Sequence, residues 1–185
     1  MLLNKINVLD KGFVALLTSN MPGSQLQDVQ NEYFKSKINM KLIDLCSATV
    51  VIKCPLFVQL NLSQFGFNII STPSDDVEAY IPDVGEIEGD SLADRQRMAQ
   101  YIKATTEALL LNQKGMPMDG ADDLTSQLLT PISIYNEIIV HGSLRQWVNY
   151  LKQTKLPPSL EIYVTTLTGL LSVEWGNLPK LLKTI

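Results

Sequence analysis

The sequence is poor in the residue types that build metal sites and disulfide frameworks. It contains two cysteines and one histidine among 185 residues. A zinc site takes about four cysteine or histidine ligands and a disulfide scaffold takes several cysteine pairs, so both are poorly supported. We therefore expect Cys46 and Cys54 to be buried free thiols, and we expect no metal site. His141 has no serine, cysteine or carboxylate at a motif spacing, which favours a surface or capping histidine over a catalytic one.

The chain also lacks an excess of positive charge and a long apolar run. Its 15 lysines and arginines stand against 19 aspartates and glutamates, for a net charge of -4. The basic residues are scattered, so no stripe predicts direct binding to nucleic acid. Lys5, Asp10 and Lys11 come too early to leave the apolar core of a signal peptide, and no run approaches a membrane-spanning helix. These absences indicate a cytoplasmic, intracellular protein without a membrane partner.

One long stretch of the chain contains no charged residue. Residues Leu56–Pro73, LFVQLNLSQFGFNIISTP, contain no lysine, arginine, aspartate, glutamate or histidine over 18 positions. An apolar stretch of this length outside a membrane span is usually core or interface. Phe65 and Phe67 would then either fill an internal space or form an exposed contact patch. We interpret the stretch as an interaction surface carried by its large apolar side chains, namely Phe57, Leu60, Leu62, Phe65, Phe67 and Ile69.

The chain contains enough hydrophobic residues to form one hydrophobic core. At 185 residues and 45% hydrophobic content, it is predicted to form a single domain over positions 1–185. Strands are predicted over Gly12–Ser19 and Ala48–Lys53, which are rich in apolar and β-branched residues. Phe57–Ile70 is predicted to be extended, and a helix over part of it stays open because the stretch holds so few periods.

Four further segments carry apolar residues at helical spacing. They are Gln25–Lys35, Leu92–Gln113, Ile132–Gln153 and Ser159–Glu174. Asp90 or Ser91 can cap the second of these helices. The segment before it, Ser71–Gly89, is predicted to be a surface loop or flap. Its acidic residues favour a solvated loop over a divalent-cation or basic-partner site, because their spacing is not that of a calcium loop.

Three segments, taken in order, resemble one known family. They are VLDKGFVAL at 8–16, VIKCPLFV at 51–58, and Pro131–Ile162, which keeps the family's late-block spacing at Arg145, Asn149, Tyr150, Leu151, Glu161 and Ile162. Together they resemble the flavin-dependent thymidylate synthases, also called thymidylate synthase-complementing proteins. The resemblance implies a mixed α/β (α+β) fold with a central, mostly antiparallel sheet and flanking helices. It also implies a homo-oligomer, with the tetramer as the family's assembly.

The chain departs from that family where the family's chemistry lies. The signature Arg-His-Arg-x-x-Ser, which grips the phosphates of flavin and deoxyuridylate, falls on Gln64, Phe65, Gly66 and their neighbours. A late arginine that polarises the pyrimidine falls on Thr154. The resemblance therefore implies no catalytic residue and no bound cofactor, and leaves Arg145 and Asn149 as vestigial candidates for cofactor binding. The residues alone favour a solvated helix charge and a surface amide at these two positions.

Two main readings of function follow. In the first, the chain is a catalytically degenerate homologue that acts as a protein-binding or structural assembly subunit, partnered by copies of itself or by another protein. In the second, it is a divergent enzyme that converts dUMP to dTMP with FAD, methylenetetrahydrofolate and NADPH, or a related nucleotide-binding enzyme. That enzyme would need Lys53, Lys152, Lys155 and Arg145 in place of the lost guanidinium groups. A third reading, an unrelated α/β interaction domain, stays open.

Overall fold

The computed structural model describes residues 3–20, 46–72, 77–120 and 122–176, together with Leu178, Pro179 and Leu182. Its strands are β1 (Leu3–Val8), β2 (Gly12–Asn20), β3 (Ser47–Pro55), β4 (Asn68–Thr72) and β5 (Tyr135–Ser143). Its α-helices are α1 (Leu56–Ser63), α2 (Leu92–Gly115), α3 (Asp123–Gln127), α4 (Leu144–Leu151) and α5 (Pro158–Glu174), with short 3-10 turns at Val84–Glu86 and Met116–Asp119. The predicted helix Gln25–Lys35 lies outside the described residues.

The strands form one sheet in the order β1-β2-β3-β5-β4, with antiparallel pairing throughout. The longest pairing joins β3 to β5, from Ser47 opposite Ser143 at one end to Pro55 opposite Tyr135 at the other. Both strands are rich in valine and isoleucine, whose branched side chains pack well on a pleated surface. The predicted mixed α/β fold with a central antiparallel sheet and flanking helices is confirmed.

The two faces of the sheet carry different packing because side chains alternate along each strand. On one face, Val50, Ile52 and Ile138 join the main core with side chains of α4 and α5, among them Trp147 and Leu167. We call this the helix face. On the second face, the register places Ala15, Val51, Ile139 and Ile70 side by side across four strands. We call these four residues the apolar row.

The uncharged stretch begins as a helix, which corrects its predicted extended conformation. Leu56–Ser63 is α1, and its two buried residues, Val58 and Leu62, are one helical turn apart and fully enclosed. A spacing of four residues puts both on one helix face, and that face packs on the core. The chain then turns at Gly66, where φ is +71°, and becomes extended only from Asn68, in β4.

The predicted helix Ile132–Gln153 is wrong over its first half. Tyr135–Ser143 is the strand β5, paired on both sides, and the helix starts only at Leu144. Ile134 and Ile138 stand four residues apart, a spacing that also suits a helix. The β-branched run between Ile138 and Val140 forms a strand because β3 and β4 supply partners for it.

The other strands and helices predicted within the described residues agree with the structure. The strand β2 extends one residue beyond its prediction, and α5 begins one residue earlier than predicted. Ser91 caps α2, as its hydroxyl accepts a hydrogen bond from the Asp94 amide at 3.1 Å. In α2 only Thr106 is buried. None of the helices in the described part of the chain combines the length and apolar character needed to cross a bilayer.

Candidate functional site

Two side-chain clusters lie at opposite ends of the β3–β5 pair. The first, which we call the aromatic cluster, lies where β3 begins and β5 ends, and consists of Phe65, Phe67, Trp147 and Tyr150. The second, which we call the polar cluster, lies where β3 ends and β5 begins, and consists of Asp10, Lys11, Lys53, Glu78, Tyr80, Glu86, Tyr135 and Tyr163. The first contains the positions that the family signature would occupy.

Local sequence signals hold the aromatic cluster in place. Ser143 starts α4 with a capping box, in which its side chain accepts from the Gln146 amide while the Gln146 side chain accepts from the Ser143 amide at 2.8 Å. The Gln146 side-chain amide also donates to the Gly66 carbonyl at 2.5 Å. This bond ties the turn before β4 to the first turn of α4. The Trp147 indole then donates to the Ala48 carbonyl at 3.3 Å, which orients the ring over β3.

The aromatic cluster is closely packed. The Phe67 and Trp147 ring centroids are 4.4 Å apart, and the Phe65 ring meets Tyr150 edge-on at 5.3 Å. Phe67 is 8% exposed, while Trp147 and Tyr150 are fully buried. A side chain at Gly142 would overlap the Phe67 ring, so only glycine allows this approach. The space beside the turn is therefore filled by the chain's own rings.

One polar group in this cluster lacks a partner. The Tyr150 hydroxyl is buried without a hydrogen bond to any described residue, and its burial raises the pKa of the phenol. A buried phenol held in its neutral form adds no charge to the site. The cluster therefore offers ring surfaces and no ion.

The structure divides the six predicted interaction residues between surface and core. Leu62 is fully buried and Phe67 nearly so, which corrects their assignment to an interaction surface, because both pack inside the chain. Phe57, Phe65 and Ile69 are half-buried against the core. Leu60 is 50% exposed. The exposed side chains Leu60 and Ile70 are thus the large apolar groups that this stretch presents to solvent, and their interaction role stays a prediction.

Arg145 and Asn149 do share one side of α4. Arg145 is half-buried and Asn149 is exposed, whereas Trp147, Val148 and Tyr150 turn inward. Thr154, at the position of the family's late arginine, is exposed just beyond α4, next to the exposed Lys155. Cofactor binding by Arg145 and Asn149 stays a prediction.

The polar cluster was missed by sequence reasoning. The Tyr135 hydroxyl donates to Asp10 at 2.5 Å, and the two residues are 125 positions apart in the chain. Lys53 and Lys11 both reach Glu78, at 2.5 and 3.4 Å. The Tyr80 hydroxyl donates to Glu86 at 2.8 Å. No motif spacing links residues so far apart, and only the sheet register brings them together.

The charged groups of the polar cluster interact with one another, which favours a structural role for the cluster over ligand binding. The hydrogen bond from Lys53 lowers the pKa of the Glu78 carboxyl, so Glu78 is ionised at neutral pH. Burial and the Asp10 hydrogen bond raise the pKa of Tyr135. Lys53, which the enzyme reading needs as a phosphate ligand, is therefore already neutralised by a carboxylate.

The histidine and the cysteines lie apart from any catalytic arrangement. His141 is exposed on β5, and its Nδ1 is 2.9 Å from the Thr49 hydroxyl. Cys46 and Cys54 are buried free thiols as predicted, and burial raises the pKa of both. Within the described ranges, no three histidine, cysteine or carboxylate side chains are arranged to hold a metal ion.

Comparison with known proteins identifies a shared fold. No protein-family model matches the chain, and no curated protein matches it in sequence. Two solved structures of the UMP/dUMP methylase PolB from Streptomyces cacaoi do match. The structure bound with 5-Br UMP has 14% identity and a TM-score of 0.71, covering 91% of this chain and 92% of that one. The structure bound with 5-Br dUMP has 13% identity and a TM-score of 0.73, covering 91% and 93%.

This likeness extends over nearly the whole chain. At 13–14% identity it shows a common fold. Membership of the flavin-dependent thymidylate synthase family, which the sequence motifs suggest, stays a prediction. The chain thus shares its overall fold with the UMP/dUMP methylase PolB.

Proposed function

We propose that this chain is a catalytically degenerate homologue of the flavin-dependent thymidylate synthases, and that it acts as a protein-binding or structural assembly subunit. The observation that carries the proposal is the aromatic cluster at the signature position. Gln64 and Gly66 form the turn there, and the rings of Phe65 and Phe67 pack behind it against α4.

The chemistry of phosphate binding supports this proposal. Each charge-assisted hydrogen bond to a phosphate contributes about 1.5–3 kcal/mol, and a dinucleotide needs several of them. Leu56–Pro73 supplies no cationic side chain. A phosphate placed against uncharged, ring-filled surface would lose its hydration without compensation. The residues of this stretch do not fit FAD or a nucleotide phosphate.

A protein partner suits the same residues better. Leu60 and Ile70 are 50% and 64% exposed, and no ionisable group separates them in the sequence. Exposed apolar side chains in an uncharged stretch are typical of the centre of a protein interface. The homo-oligomer implied by the resemblance remains part of the proposal, as does a second, different protein.

One observation favours the alternative, a divergent nucleotide methylase. The chain shares its fold over 91% of its length with a protein described as a UMP/dUMP methylase. Such an enzyme would hold its substrate with Arg145, Lys152 and Lys155, which follow one another along α4 and the loop after it. Lysine binds phosphate as a point charge without the bidentate geometry of arginine, so we rank this function second.

Ligand binding and turnover separate the two functions. The purified chain is examined for flavin absorbance, titrated with FAD, UMP and dUMP by calorimetry, and assayed for methyl transfer to UMP and dUMP. The Streptomyces cacaoi methylase, treated identically, is the positive control. We expect a colourless protein with no saturable binding and no methylated product. Saturable nucleotide binding that is lost in Arg145→Ala or Lys155→Ala would instead establish the alternative.

A further inference from the structure

The two edges of the sheet differ in how they are protected. A sheet edge exposes backbone amide and carbonyl groups that can pair with another chain, and proteins block this with lysines, bulges and irregular strands. β1 carries such features. It contains Lys5, and its register with β2 shifts between Leu3 and Ile6. Asn4 has a φ of +58°, which bends the strand out of regular extended geometry.

The β4 edge carries none of these features. Its sequence is NIIST, and it pairs with β5 in an unbroken register from Asn68 opposite His141 to Thr72 opposite Glu137. In the described part of the chain, no strand pairs with its outer side. Ile70 is 64% exposed in the middle of the strand. A regular, uncharged edge with an exposed isoleucine is a surface for strand addition.

The apolar row ends at this edge. Ala15 and Val51 are buried, Ile139 is half-buried, and Ile70 is the exposed last member. The row is therefore incomplete on the β4 side. A strand that placed an apolar residue next to Ile70 would continue it and cover the exposed side chain.

From these observations we propose that β4 pairs with β4 of a second copy, antiparallel about a two-fold axis at Ile70. The proposal rests on the proposed function and identifies its partner and surface. Centred there, Ile70 lies opposite Ile70 of the second copy, and Asn68 lies opposite Thr72. The two five-stranded sheets then join into one, and the two apolar rows become continuous.

Charge favours a second copy as the occupant. At the centre of a two-fold contact each residue meets its own copy, so an edge without charges avoids repulsion between like charges there. β4 has none. The residues of β5 beside it on the same face are Glu137, next to Thr72, and His141, next to Asn68. Two-fold pairing sets Glu137 in line with His141 of the other copy, so like charges do not meet.

A cysteine at the two-fold axis tests the register directly. Residues directly opposite in antiparallel strands have Cα atoms about 4.5–5.5 Å apart, within the range that a disulfide spans. Ile70→Cys should therefore cross-link into a covalent dimer under mild oxidation. Asn68→Cys is the matched control, because its copies stand four residues out of register, about 14 Å apart. Native Cys46 and Cys54 are buried and should not contribute.

A second pair of variants tests the contact without oxidation. The mass of the wild-type chain is measured by light scattering over a concentration series, beside Ile70→Lys and Ile6→Lys. Ile6 lies on the protected edge strand β1 and is 40% exposed, so it is a matched control. We expect dimers or larger even-numbered assemblies for the wild type and Ile6→Lys. For Ile70→Lys we expect the mass to fall by half.

The results have clear meanings. Cross-linking of Ile70→Cys but not Asn68→Cys, and of Asn68→Cys mixed with Thr72→Cys, supports the pairing. A monomeric wild type, or equal cross-linking of Ile70→Cys and Asn68→Cys, overturns it. Nucleotide turnover by a β4-paired dimer would overturn the proposed loss of catalysis and leave the pairing intact. A monomer that binds no nucleotide would overturn only the pairing.

Discussion

The two ends of the β3–β5 pair differ in how their interior groups are stabilised. At the end where β5 meets α4, rings pack on rings, with Phe67 and Trp147 centroids 4.4 Å apart and no ion among them. At the other end, the side chains are joined by hydrogen bonds and ion pairs, such as Tyr135 to Asp10 and Lys53 to Glu78. A site that binds a charged ligand would be expected where charged side chains are found. The ion pairs of the polar cluster lie at the end away from the signature position, where Lys11 and Lys53 both pair with Glu78.

This contrast shows that a cluster of polar side chains need not be a ligand site, because its groups can be paired with one another. In the polar cluster, Lys11 and Lys53 share Glu78 as their ion-pair partner, while Asp10 and Glu86 each accept a hydrogen bond from a tyrosine hydroxyl. Such a cluster joins the turn between β1 and β2 to β3, to β5 and to the segment 78–86. The aromatic cluster stabilises the opposite end through ring packing and burial, with no ion pair among its side chains. The two ends should therefore respond differently to cavities, to lost hydrogen bonds and to pH.

The largest effect is expected at the aromatic end. Trp147→Ala should lower the free energy of unfolding by about 3–5 kcal/mol, because it leaves a cavity beneath Phe67 in the core. Urea denaturation followed by circular dichroism measures the loss. Trp147→Phe keeps an aromatic ring but loses part of the side-chain volume and the indole hydrogen bond to Ala48, so it should cost less than the alanine variant. A loss below about 1 kcal/mol for the alanine variant would contradict the packing described.

A smaller effect is expected at the polar end. Tyr135→Phe keeps the ring and removes the hydroxyl that donates to Asp10, so the carboxylate loses its 2.5 Å partner. Hydrogen bonds to charged groups contribute about 1.5–3 kcal/mol, and we expect a loss in that range by the same denaturation measurement. The control is Tyr101→Phe, since Tyr101 is 74% exposed on α2. Equal stability of Tyr135→Phe and the wild type would show that the bond contributes nothing.

The smallest effect is expected at the Glu78 ion pairs. Since the pKa of Glu78 is lowered by Lys53, its contribution is present at neutral pH and is lost as the pH falls through that lowered pKa. Partly exposed ion pairs contribute about 0–1 kcal/mol, so Glu78→Gln should cost little at pH 7. Unfolding free energies measured from neutral to acid pH should converge for variant and wild type. If the difference in unfolding free energy between wild type and Glu78→Gln grew at acid pH, the predicted pH dependence would be wrong.

Local elements were predictable where one local signal dominated. The strand β2 and the helix α2 were predicted because a β-rich run and a serine cap, respectively, point to one structure. α1 and β5 were mispredicted because a short apolar run fits both the helical and the strand periodicity. Tertiary contacts then decide which structure forms. Val58 and Leu62 form a helix face only because a core lies beside them.

Part of the candidate site was predictable from the sequence, namely the segment that carries Phe65 and Phe67. The absence of charge from Leu56–Pro73 and the position of Phe65 and Phe67 were visible from the chain alone. That Phe67 would be covered by Trp147, 80 positions later, was not visible, because no local rule relates them. The polar cluster was invisible for the same reason, since Asp10 and Tyr135 meet only through the register of β1, β2, β3 and β5.

The sequence by itself determined the chemistry of each segment: which runs favour strands, which serine caps a helix, and which stretch lacks charge. These properties depend on side chains a few residues apart, so they can be read locally. Only the tertiary structure decided that β4 lies at an edge, that Leu62 and Phe67 turn inward, and that Lys53 faces Glu78. Those outcomes depend on strand order and register, which bring together residues far apart in the chain.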